Sequence, residues 1–134
     1  MTEQEAMERL RKGGYKLTAR RLDMLRFFAT DNKYKTAKQL YAYMTAKYPS
    51  ISFDTVYRNL HLYFQLGILE RTNLNAEQHY RIACGQHHHH FICKLCGMTK
   101  KLNFCPMDYV TELLSPFRVD DHKFEVYGIC NQCH

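Results

Sequence analysis

Hydrophobic positions in the first half of the chain recur at helical intervals, and each run is bounded by a cap or a breaker. The spacing predicts a helix over roughly 3–12 that stops at Gly13-Gly14. Thr18 caps a second helix, in which Leu22, Leu25, Phe28 and Ala29 follow one face. Thr36 opens a third with Ala37, Leu40, Tyr41 and Met44 as its inner stripe, and Pro49 ends the connection after it. Ser52 caps a fourth, for which Phe53, Val56, Leu60, Tyr63 and Phe64 are expected to face inward; Gly67 is its stop. The period then shortens to alternation near 68–72 and 78–82, separated by Asn73-Leu74-Asn75, which reads as a hairpin. Farther on, "MTKKLNF" and "HKFEVYG" read as strands on either side of a helix from about 106 to 115.

Short helices followed by a hairpin are the order of a winged helix-turn-helix. In that arrangement the last helix enters the DNA major groove. The expected fold class is therefore α+β, an N-terminal winged helix-turn-helix domain with a small C-terminal α/β domain. On the fourth helix the outward positions include Ser52, Thr55, Arg58 and Asn59, with Tyr57 at the border. These side chains can reach phosphates and base edges. Lys16, Arg20 and Arg21, before and within the second helix, are placed to grip the flanking backbone or the minor groove.

Charge sharpens this division. Residues 1–83 hold 14 Lys+Arg against 8 Asp+Glu, whereas residues 84–134 hold 5 against 5. The basic half suits nucleic acid. All six cysteines and six of the eight histidines lie in the neutral half. The first residues, MTEQEAMERLRKGGYK, contain no apolar signal core, and no window approaches the ~18 apolar residues of a membrane helix. A cytoplasmic protein with reduced thiols is expected, so the cysteines point to metal or redox chemistry before disulfides.

Cys93-x-x-Cys96 and Cys130-x-x-Cys133 each present two thiolates at one corner of a tetrahedral site, and two such pairs close it around zinc. The 33 residues between them must fold to bring the pairs together. A redox dithiol would instead need a thioredoxin-like βαβ context, which the sequence lacks.

Just upstream, "QHHHHFICKLCG" sets four histidines before the first pair. The run is internal, unlike a purification tag. In a segment leading into a strand, alternate side chains take opposite faces. His88 and His90 then share one face, and His87 and His89 the other, so one stretch can serve two metal sites. Cys84 is suited to join His88 and His90, with Glu70 as a fourth ligand and His79 as a weaker alternative. The other face requires carboxylate or imidazole from the second half, where Asp108 and His122 are available. Cys105 reads as a buried helix-start cysteine, and Tyr34, Glu77, Asp120 and Asp121 as surface residues.

"ISFDTVYRNLHLYFQLGILE", "HHHHFICKLCG" and "FEVYGICNQC", in this order, resemble the ferric uptake regulator (Fur) superfamily of metal-sensing repressors. The likeness runs from "GGYKLTARR" to Cys133. With "FDTVYRNL", "CPMD" and "DHKFEVYG", it is greatest to the zinc uptake regulator branch. The resemblance implies a homodimer that binds double-stranded operator DNA. Tyr57 and Arg58 match its DNA-contact positions, and Lys16 and Arg21 its minor-groove positions. It implies a structural zinc on Cys93, Cys96, Cys130 and Cys133 and a regulatory site on Glu70, Cys84, His88 and His90. A further tuning site maps onto His87, His89, Asp108 and His122.

Iron and peroxide sensors of that superfamily carry a histidine ligand where this chain has Tyr34. Cys84 supplies a soft thiolate instead, which with imidazole suits tetrahedral zinc better than oxygen-seeking manganese or iron. The expected function is a zinc-corepressed regulator of zinc uptake genes, with one structural and one or two regulatory zinc ions per subunit. An iron- or manganese-dependent or peroxide-sensing repressor is the alternative. No membrane or small-molecule substrate is expected. A zinc enzyme is disfavoured, because neither His-Glu-x-x-His nor a deaminase-type motif occurs. The expected organisation is 1–83 for DNA binding, 84–91 as a ligand-bearing hinge and 92–134 for dimerisation around the structural zinc.

Overall fold

A computed structural model describes all 134 residues. They form two compact units, Met1–Gly85 and Gln86–His134.

In the N-terminal unit, helices α1 (Glu3–Lys12), α2 (Ala19–Ala29), α3 (Ala37–Lys47) and α4 (Phe53–Gln65) precede a hairpin of β2 (Leu69–Leu74) and β3 (Glu77–Ile82). A two-residue strand β1 (Lys35–Thr36) pairs with the outer edge of β3, giving an antiparallel sheet in the order β1-β3-β2. Every helix begins on a hydroxyl cap: Thr2, Thr18, Thr36 and Ser52 each accept a hydrogen bond from the amide three residues on. Such a cap satisfies an amide that the helix itself leaves unpaired. Thr36 and Gln39 complete a reciprocal capping box. The core unites Leu10, Met24, Leu25, Phe28, Leu40, Met44, Val56, Leu60, Tyr63, Ile68 and Tyr80 from all four helices and the sheet.

Three expectations change here. Phe53 is not an inward residue of α4; at its first position it is 42% exposed and stacks on Tyr57 with centroids 6.4 Å apart. The hairpin turn is Asn75-Ala76, both at positive φ (54° and 62°), rather than Asn73-Leu74-Asn75. Leu74 stays in the ladder because its side chain is buried. Tyr34 is buried at 5% exposure, with the Arg81 guanidinium 5.8 Å from its ring centroid, and is not a surface residue.

In the C-terminal unit, β4 (His89–Cys93) is the central strand of a second sheet, ordered β5-β4-β6. β5 (Thr99–Leu102) pairs with it antiparallel, and β6 (Glu125–Gly128) pairs parallel after the crossover helix α5 (Met107–Leu113). The helix and both flanking strands are shorter than their sequence patterns suggested. Ile92 is the one large aliphatic side chain fully buried in this unit, beside the buried Cys93, Cys130, His89 and His90. That is too little apolar burial for a self-sufficient core.

Candidate metal centres

The four cysteines of the two Cys-x-x-Cys pairs converge in the C-terminal unit, their sulfurs within 4.8 Å of one another. Cys93 closes β4, Cys96 follows in the turn that leads to β5, and Cys130 and Cys133 lie just after β6. The parallel pairing of Cys93 with Gly128 brings the second pair alongside the first. Cys96 Sγ and Cys130 Sγ lie 3.7 Å apart, and none of the six cysteines is in a disulfide. Four sulfurs about 2.3 Å from a tetrahedral zinc stand about 3.8 Å from each other, so the spacing fits that ion.

The thiols themselves record the strain of this proximity. Burial pushes Cys93 up, but the backbone N–H groups of Cys96, Cys130 and Leu95 and the Cys96 side chain outweigh it and bring Cys93 down to about 6. Cys133 is pushed up to about 12 by sharing hydrogen bonds with Cys130 and Cys96. Packed thiols cannot all ionise together without a cation. A soft divalent metal such as zinc would supply that charge, and four thiolates are a ligand set that suits it.

The histidine run alternates as a strand should. His87 and His89 form one ring pair, 4.9 Å between centroids, and His88 and His90 the other, 4.6 Å apart. On the first face the fourth member is Cys105, not Asp108. Cys105 Sγ lies 3.4 Å from His87 Nε2, 3.4 Å from His89 Nε2 and 3.5 Å from His122 Nε2, while His89 and His122 Nε2 are 3.2 Å apart. Asp108 sits exposed in the first turn of α5, outside the cluster. The reason is strand register. His89 pairs with Leu102, so the antiparallel chain that continues through Cys105 runs back beside His87. No local pattern in the sequence records that pairing, and it replaces the reading of Cys105 as a buried helix-start residue. Burial lowers the affinity of His89 for its proton, and the neighbouring His87 and His122 lower it further. The imidazole is thereby kept in its neutral, metal-ligating form.

Within the N-terminal unit, Glu70 and Cys84 are brought together: the Cys84 backbone N–H donates to Glu70 Oε1 at 3.1 Å. Arg81, opposite Glu70 in the hairpin ladder and only 3% exposed, donates from Nη2 to Cys84 Sγ at 3.0 Å. Sequence reasoning did not single out this arginine. His79 instead contacts the Glu77 carbonyl at 2.9 Å.

Helix α4 presents Tyr57 (49% exposed) and Arg58, with Arg58 Nε 2.9 Å from Asp54 Oδ2 on the same solvent face. Ser52 Oγ serves the cap and lies 2.9 Å from Thr55 Oγ1. Arg21 ties α2 to α4 through Asn59 Oδ1 at 3.2 Å and holds the Lys16 carbonyl at 2.7 Å. One unit carries exposed cations and hydroxyls on a winged helix and the other carries thiol and imidazole clusters, the features of a metal-dependent transcription regulator.

The chain belongs to the ferric uptake regulator family, whose model matches residues 12–127. A ferric uptake regulation protein of Staphylococcus epidermidis is 48% identical over 134 residues, covering 99% of this chain and 96% of that one. Among solved structures, the ferric uptake regulator of Helicobacter pylori shares the fold with a TM-score of 0.77 at 18% identity, over 99% of this chain and 94% of that one. A zinc uptake regulator complexed with zinc and DNA does so with a TM-score of 0.72 at 23% identity, over 99% and 95%. Both likenesses bear out the expected fold class, a winged helix joined to an α/β domain. Proteins of this family are transcription regulators rather than enzymes. No helix is long and apolar enough to cross a membrane.

Proposed function

We propose that the protein is a dimeric repressor that binds operator DNA when zinc occupies Glu70, Cys84, His88 and His90, and that it controls zinc uptake genes. The observation that carries this reading is the pairing of Glu70 with Cys84 at the end of the wing. A carboxylate and a thiol-bearing residue meet there, four residues before His88. His88 and His90 share a face in the following unit. Thiolate with imidazole favours a tetrahedral zinc over iron or manganese.

An ion held by all four would couple the DNA-reading unit to the unit that follows it. In a dimer, that coupling sets the spacing of two recognition helices to two half-sites. Shifting such an equilibrium from 1:99 to 99:1 needs about 5.5 kcal/mol of differential binding. Structural zinc binding, on the order of 10–16 kcal/mol in zinc-finger peptides, is large enough to supply it. Lys16, Arg21, Ser52, Thr55, Tyr57 and Arg58 are the proposed DNA contacts. A second zinc on Cys93, Cys96, Cys130 and Cys133 holds the C-terminal unit together. Dimerisation is supported by the apolar side chains this unit exposes, among them Tyr109, Leu113, Phe117, Tyr127 and Ile129.

A second reading, iron(II) in the same role, is favoured by the name of the 48% identical relative. Titrating a labelled palindromic operator under buffered free zinc, then under iron(II) and manganese(II), separates the two. Affinity that rises with zinc alone supports the zinc reading; a response to iron(II) or manganese(II) instead overturns it.

A further inference from the structure

Glu70 and Arg81 face each other across the β2–β3 ladder, and both reach the same residue. Glu70 Oε1 accepts from the Cys84 backbone N–H at 3.1 Å, while Arg81 Nη2 donates to Cys84 Sγ at 3.0 Å. We propose that Arg81 is a positioning residue of the regulatory site. Its guanidinium fixes the Cys84 sulfur before an ion arrives and stays hydrogen-bonded to it once the sulfur is a ligand. The inference rests on the regulatory role given above to Glu70 and Cys84, and deepens it.

Cys84 lies two residues past the end of the ladder, on irregular backbone, where no strand register dictates the direction of its side chain. The group that reaches its sulfur comes from inside the ladder. Arg81 is buried, and its guanidinium lies 5.8 Å from the ring centroid of Tyr34, itself buried. That is within the range of a cation–π contact. Tyr34 immediately precedes β1, which pairs with β3, so the donor is steadied from the strand edge opposite Glu70.

A guanidinium stays charged at every working pH and has no lone pair to offer a metal. Arg81 is therefore not a ligand and acts only through the sulfur. A buried cation needs compensating partners, and a charge-assisted hydrogen bond to sulfur is one that also holds direction. A thiolate has lone pairs enough to accept from Arg81 and bind an ion at the same time. Partners of this kind orient the ligands of a metal, and their loss costs about 10–100-fold in metal affinity.

The test uses the full chain carrying Cys105→Ser, with zinc retained in the four-cysteine site and cobalt(II) chloride as the probe. Titration should develop a thiolate-to-cobalt charge-transfer band that Cys84→Ser removes. The hydrogen bond lowers the energy of the sulfur lone pairs, so Arg81→Met should move the band to longer wavelength and weaken cobalt binding about 10–100-fold. Arg81→Lys, which keeps the charge without the forked donors, should move it part of the way. Circular dichroism of the metal-free variants reports folding, and Arg81→Lys carries the test if Arg81→Met does not fold. A Cys84-dependent band with the same wavelength and affinity in the folded variants overturns this inference alone. A chain with no Cys84-dependent band overturns the regulatory reading and this inference with it.

Discussion

The Cys84 backbone N–H and the Glu70 carboxylate meet at 3.1 Å, so the exit of the wing is tied to the strand that begins it. The contact orients the Glu70 carboxylate, while the Cys84 thiol is held separately by Arg81 Nη2 at 3.0 Å. Cys84→Ala leaves that backbone hydrogen bond intact and removes only the thiol. The variant should keep its four-cysteine metal but lose at least about tenfold in metal-dependent operator affinity, a difference of about 1.4 kcal/mol. Anisotropy titrations in buffered zinc, with metal analysis of the same samples, measure both. An unaltered zinc response would remove Cys84 from the mechanism.

The C-terminal unit should depend on metal for its fold. Burying Ile92 contributes on the order of 2–3 kcal/mol, whereas zinc on such ligands binds with about 10–16 kcal/mol in small zinc domains. The N-terminal unit has a core drawn from four helices and a sheet. Chelation should therefore abolish one calorimetric transition and leave the other near its original temperature. A single transition that moves as a whole would contradict this.

Asp23 is buried on α2, where the Tyr48 hydroxyl donates to it at 2.5 Å and Lys47 Nζ lies 3.0 Å away. The Tyr48 hydrogen bond is the main influence holding its carboxyl below the ordinary 3.8; burial opposes this, and Lys47 adds to it. With the folded pKa below the unfolded one, the stabilisation is complete above about pH 4 and fades as pH falls through the lower value. Tyr48→Phe should lower stability at pH 7 and flatten the acid limb. Urea melts at pH 7 and pH 3 check this: the wild-type advantage should shrink at the lower pH.

Asn75-Ala76 forms a hairpin turn with positive φ at both positions, the conformation for which Asn-Gly is the favoured pair. A non-glycine residue there costs about 1–2 kcal/mol, partly offset by the extra freedom glycine loses on folding. Ala76→Gly should stabilise the N-terminal unit by about 0.5–1 kcal/mol, raising its melting temperature by roughly 2–6 °C. No rise, or a fall, would mean that this turn carries no such strain.

The parts legible in the sequence were those written in local spacing. Hydroxyl caps and the helical period located α1 to α4, and the two Cys-x-x-Cys pairs declared themselves through ligand type. Strand alternation sorted the four histidines into the pairs later seen. What escaped was set by partners distant in sequence. Cys105 joins His87 and His89 because β5 pairs with β4 in one particular register, which no local pattern records. Asp108, chosen for its charge, sits on the exposed turn of α5 instead. Phe53 fits the apolar period, yet its place at the first position of α4 leaves it on the outer side beside Tyr57. Arg81 looked like one more basic residue until the ladder set it against Glu70 and the thiol of Cys84.

The alternation of the histidine run also makes its length a counted quantity. Four is the smallest number of consecutive histidines that leaves two on each side of a strand. Loss of one codon from this repeat would leave one side with a single imidazole and the other with its full pair. Repetitive tracts are prone to such slippage, and here the consequence would fall on one imidazole pair at a time, graded by parity rather than by total histidine content.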